Sequence, residues 1–91
     1  MDDNLYNSIL KDIKNLKLNI YPSFDMNRRI IGYEISGSSW DYGYKITLDD
    51  TETLAKVECY SDVGVDEVYI NKKDSEFTNF VKTLSMKAVG L

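Results

Sequence analysis

Two runs of alternating apolar and polar residues dominate the hydropathy pattern of the chain. In the first, Ile31, Tyr33 and Ile35 alternate with Gly32, Glu34 and Ser36; in the second, Tyr42, Tyr44, Ile46 and Leu48 alternate with Gly43, Lys45 and Thr47. A period of two gives each run one apolar and one polar face, the pattern of a half-buried antiparallel strand. Between them stands Gly37-Ser38-Ser39-Trp40-Asp41, a cluster of turn formers short enough to pair the two runs. The stretch Arg28–Asp49 is therefore read as the central hairpin.

The flanks follow two other periods. Over residues 3–17, Tyr6, Ile9, Leu10, Ile13 and Leu16 recur at helical spacing, with Asp2, Asp3 or Asn4 available as caps and Lys14 and Lys17 near the negative end of the helix dipole. Leu18–Tyr21 reads as a short strand that ends at Pro22 or lies at an edge, because proline lacks the amide a central strand needs. Ser23–Asn27 reads as a loop. Leu54–Tyr60 places Ala55, Val57 and Cys59 on one side, and its expected partner is the run Tyr42–Leu48. Ser61-Asp62-Val63-Gly64 is turn-like, and Glu67–Asn71 is a candidate fifth strand. A closing helix, capped by Asp74 or Ser75, carries Phe77, Phe80, Val81 and Leu84 on one stripe. The expected fold is α+β: an N-terminal helix, an antiparallel sheet of four or five strands and a C-terminal helix. Both helices pack on the apolar face of the sheet, making a two-layer sandwich. No linker or repeat divides residues 1–91, so one domain is expected.

Composition changes this picture mainly by exclusion. With 43% apolar and 29% charged residues the chain has the makeup of a folded domain. No apolar run approaches the roughly 20 residues that span a bilayer, and the acidic, amphipathic N-terminus does not read as a signal peptide. A single cysteine, Cys59, rules out an internal disulfide and fits a reducing cytoplasm. Histidine is absent, which removes the commonest general base and transition-metal ligand. Nucleophile, P-loop and dinucleotide motifs are also absent. The serines of Ser36-Gly37-Ser38-Ser39 have no histidine to activate them and read as turn residues. Asp49, Asp50 and Glu52 lack the glycine and spacing of a calcium loop. Cys59, among apolar neighbours, reads as a small hydrophobe. The expectation is a non-catalytic protein without cofactor or metal.

Charge and aromatic residues supply the candidate chemistry. The formal net charge is −4, and residues 49–76 hold nine carboxylates against three lysines. Such a segment repels nucleic-acid phosphate and suits a protein partner with a basic surface; the alternative is a set of solvating loop charges. Trp40 and Tyr42 near the hairpin tip, with Tyr21, Tyr60 and Tyr69, supply rigid contact area of the kind enriched at interfaces. The candidate partner-binding residues are Trp40, Tyr42, Asp49, Asp50, Glu52, Asp62, Asp66 and Glu67.

An amphipathic helix (LYNSILKDIKNLKL) leading into an antiparallel sheet, an acidic segment (DDTET and DVGVDE) and no catalytic set together resemble the small acidic inhibitors of phages and mobile elements, anti-CRISPR proteins among them. The resemblance implies a protein that occludes the nucleic-acid-binding surface of a host nuclease or defence effector, acting as a DNA mimic in the host cytoplasm. It assigns no residue. Such a protein binds neither nucleic acid nor membrane directly and is a monomer or homodimer. The alternative is an accessory or immunity-type module that binds through a Tyr/Trp face.

Overall fold

The computed structural model describes residues 3–37, 42–48 and 53–90. The chain runs α1 (Asp3–Asn15), β1 (Asn19–Phe24), β2 (Ile30–Ser36), β3 (Gly43–Thr47), β4 (Leu54–Ser61), β5 (Gly64–Asn71) and α2 (Ser75–Ala88). The strands form one five-stranded antiparallel meander in the order β1-β2-β3-β4-β5. The α+β architecture is that expected from the sequence, and the candidate fifth strand is present.

Register explains which side chains form the core. Pairing sets Tyr33 against Ile46, Ile46 against Val57 and Val57 against Val68, with Ile35–Tyr44–Cys59 in the next row and Ala55–Ile70 beyond. Cross-strand partners share a face of the sheet, so these residues make one apolar surface. Both helices cover it. Tyr6, Ile9 and Ile13 of α1 and Phe77, Phe80 and Leu84 of α2 join Tyr33, Ile35, Tyr44, Ile46, Ala55, Val57 and Ile70 in one buried cluster. Tyr6 stacks on Phe80 at 4.9 Å between ring centroids, locking the helices together. The Cα radius of gyration is 12.6 Å.

Local chemistry sets the ends of the elements. At the end of α1, Lys17 adopts a left-handed conformation (φ 54°) and the Leu18 amide donates to the Ile13 carbonyl at 3.0 Å, a Schellman-type closure. That closure ends the helix at Asn15, short of the expected residue 17. It leaves Leu16 half exposed and packs Leu18 against the core in its place. At the start of α2, the Asp74 carboxylate accepts from the amides of Glu76 (2.9 Å) and Phe77 (3.3 Å). The possible caps of α1 lie outside the described side chains.

Two strand boundaries differ from those read in the sequence. Strand β1 does not stop at Pro22 but continues through Ser23 to Phe24, beyond the expected loop boundary. As an outer strand it needs no amide toward solvent, so proline is tolerated there, and the register shifts at Ser23/Phe24 just after it. The turn that follows is built on Asp25, whose carboxylate accepts the Asn27 and Arg29 amides at 2.8 and 2.9 Å. Strand β5 begins at Gly64, three residues before the expected Glu67, because Asp62-Val63 alone make the turn and every residue from Gly64 pairs with β4.

Candidate interaction face

With both helices on one side, the other face of the sheet has no helix over it among the described residues. The register that builds the core also determines what this open face presents. One row crosses all five strands as Tyr21–Glu34–Lys45–Glu58–Glu67. At about 4.8 Å between neighbouring strands, it spans roughly 19 Å. A second row ends in Lys56 and Tyr69 and a third in Tyr60 and Val65, so Tyr21, Tyr60 and Tyr69 share this face.

The charges on it are partly matched. Lys56 Nζ lies 3.6 Å from Glu58 Oε1, and the Tyr69 hydroxyl donates to Glu67 at 2.9 Å, which raises the Tyr69 pKa above the usual phenol value. Burial, then the Glu34 and Glu58 charges, raise that of Tyr60. Tyr60 packs its ring over Gly43, the residue opposite it on β3. Tyr21 and Tyr69, on opposite edges of the sheet, are more than half exposed, and Leu54 and Val65 are exposed on the same face.

The sequence-predicted residues are divided among several places. Trp40, Asp49, Asp50 and Glu52 lie outside the described residues. Leu48 and Thr53, which flank the last three, stand at the end of the sheet opposite Tyr42 and Asp62. Asp62 sits in the β4–β5 turn. Asp66 and Glu67 are neighbours in sequence but project to opposite faces of β5, Asp66 toward the helices beside Cys59 and Glu67 onto the open face. The acidic segment is therefore not one continuous row.

Tyr42, just before β3, turns toward α1. Its hydroxyl donates to Asp12 Oδ2 at 2.6 Å, and the Tyr44 hydroxyl donates to the same oxygen at 2.5 Å. Next to this cluster an open groove of about 400 Å³ is lined by Leu5, Ser8, Tyr42, Tyr44, Cys59 and Asp66 among others. Burial and the Asp66 charge push the Cys59 thiol up, which works against thiolate formation. The bond to Asp12 raises Tyr42, and burial followed by the same bond raises Tyr44. These shifts disfavour ionisation of the groove's phenols and thiol. Among the described residues, no group of three or more potential ligands could hold a metal ion, and no helix is long and apolar enough to cross a membrane.

Sequence reasoning missed Glu34, Lys45, Lys56 and Glu58 as surface residues of interest. Their alternation with core positions was visible, but the register that lines them up across strands was not. Comparison with protein-family models, curated proteins and solved structures gives no match to this chain.

Proposed function

We propose that the chain is a non-catalytic protein-binding inhibitor that docks its open sheet face on a basic surface of a partner. The partner surface is of the kind that nucleases and defence effectors use to hold nucleic acid, so binding would occlude it as anti-CRISPR proteins do. The observation that carries this reading is the cross-sheet row Glu34–Lys45–Glu58–Glu67, set beside exposed Tyr21 and Tyr69 on a face with no helix over it among the described residues. Three carboxylates against Lys45 and Lys56 leave the face acidic, and the tyrosines supply contact area at low entropic cost. The raised pKa values of the groove's thiol and phenols work against a nucleophilic role for them and support the binding reading.

The exposure of Tyr21, Tyr69, Leu54 and Val65 on the same face favours a second reading, an accessory module held mainly by apolar contact. Affinity capture from source cells, repeated across a salt series, distinguishes the two. The inhibitor reading expects a captured nucleic-acid-binding protein that is lost at high salt and by the Glu34→Lys/Glu58→Lys variant. Capture that withstands salt and charge reversal but fails for Tyr21→Ala/Tyr69→Ala supports the second reading.

A further inference from the structure

The two outer strands of the sheet are not equivalent. Strand β1 is interrupted by Pro22 and by a register shift at Ser23/Phe24, devices that discourage further pairing. Strand β5 has neither. Its eight residues, Gly64–Asn71, pair with β4 in unbroken register. The two-residue turn Asp62-Val63 makes Ser61–Gly64 the closing hydrogen-bonded pair of this hairpin. In an antiparallel ladder hydrogen-bonded and non-hydrogen-bonded pairs alternate, so Asp66, Val68 and Ile70 spend their backbone groups on β4. Val65, Glu67 and Tyr69 turn their N–H and C=O groups to the free edge. The outermost strand thus offers three regularly spaced donor–acceptor sites.

The side chains along that edge indicate what would pair there. Glu67 with Tyr69 stands on the open face, Asp66 on the helix side and Asp62 in the turn, and β5 carries no lysine or arginine. A second copy of this chain would bring the same carboxylates to the interface, whereas a basic strand would neutralise them.

We propose that β5 accepts an extended basic peptide segment of the partner as a sixth strand. Backbone hydrogen bonds to Val65, Glu67 and Tyr69 supply the affinity, and lysine or arginine side chains next to Glu67 on the open face supply the selectivity. This rests on the reading of the chain as a binder of basic protein surfaces, and it gives the form of the segment bound.

The test uses the full chain and a fluorescein-labelled nine-residue peptide of alternating Lys and Val, with two comparison peptides. One has Glu in place of Lys; the other is N-methylated at alternate residues so that it cannot complete the ladder. Saturable binding of the Lys/Val peptide is expected, weakened at least tenfold by N-methylation and by Lys-to-Glu exchange. Val65→Pro removes an outward-facing amide and no charge, as Pro22 does on the opposite edge, whereas Glu67→Pro removes such an amide together with a carboxylate; either should weaken binding by at least a similar factor while circular dichroism stays unchanged. If the proline variants unfold, the N-methylated peptide still decides the matter without altering the protein. Equal binding of the methylated and unmethylated peptides would overturn the proposal, as would no saturable binding. Dimerisation of the chain that Glu67→Pro abolishes, with no peptide bound, would overturn it in favour of a second copy. Loss of partner capture on reversing Glu34 and Glu58, with no effect of Glu67→Pro, would overturn the edge site and leave the open-face reading standing.

Discussion

The Tyr44 hydroxyl donates to Asp12 Oδ2, tying a core residue of β3 to α1 across 32 positions of sequence. The Tyr42 hydroxyl donates to the same oxygen and lies 3.1 Å from the Tyr44 hydroxyl. Two phenols supply two protons, and with both spent on Asp12 none is left for the contact between them. Asp12 is thus the acceptor on which both depend.

Asp12→Ala is expected to cost about 2 kcal/mol, because it takes the shared acceptor from both phenols, one of them on Tyr44, which is only 7% exposed, and leaves the two hydroxyls only each other. Tyr44→Phe removes the donor along with its need and should cost less, about 1–1.5 kcal/mol. The double variant should be less destabilised than the sum of the two single ones. Urea unfolding of the four proteins measures this coupling; additive losses would mean that the bond contributes nothing.

The same cluster makes the fold sensitive to alkali. Burial, then the bond to Asp12, raises Tyr44 above the ordinary tyrosine value near 10, and the Asp12 bond raises Tyr42. Above about pH 10 the unfolded chain gives up phenolic protons that the folded chain retains, so the folded state binds more protons and stability falls as pH rises. The contribution is complete below pH 10 and is lost progressively above it. Melting temperature followed from pH 9 to 11.5 should fall more steeply for the wild type than for Tyr44→Phe, since lysine titration is common to both.

This link was not legible in the sequence, where Asp12 is one polar position on an amphipathic helix and Tyr42 one residue beyond a turn. The local periods did determine much else. Phe77, Phe80 and Leu84 stand at helical spacing and are buried together, and Tyr33 and Ile35 alternate with polar neighbours and meet Ile46 and Tyr44 as a hairpin requires. The strand boundaries were less legible. Pro22 left a strand end and an edge position both open, because its cost depends on strand position in the sheet, and the edge position is the one found. The start of β5 was missed because Gly64 reads as part of the turn and Asp66 weakens the strand signal, although a charged residue suits an edge.

Gly43 lies where a side chain cannot. A Cβ there would fall 2.6 Å from the Ile35 carbonyl oxygen on β2 and 3.0 Å from the Tyr60 ring. The ring can shift, but the backbone oxygen belongs to the β2–β3 ladder. Gly43→Ala should therefore destabilise the fold by roughly 1–3 kcal/mol, although alanine is no worse than glycine in an unconstrained strand. Thermal unfolding of Gly43→Ala measures the cost, and a wild-type melting temperature would show that the strands can part without loss.

Asp66 is a charge on the helix side of an outer strand, beside Cys59. It has two separable consequences. Its carboxylate adds to the burial that raises the Cys59 thiol, so Asp66→Asn should lower that pKa and speed reaction with a disulfide reagent at pH 7.5. Burial is the larger cause and remains, so the gain should be a few-fold at most. An inward-facing charge on an outer strand also discourages pairing with another copy of the same edge. Asp66→Val keeps the strand-forming character of the position and removes that repulsion, so the variant should self-associate at concentrations where the wild type does not. Sedimentation velocity reads this directly. Identical sedimentation of the two proteins would mean that Glu67 and Asp62 guard the edge without Asp66, and an unchanged thiol rate in Asp66→Asn would mean that burial alone holds the Cys59 proton.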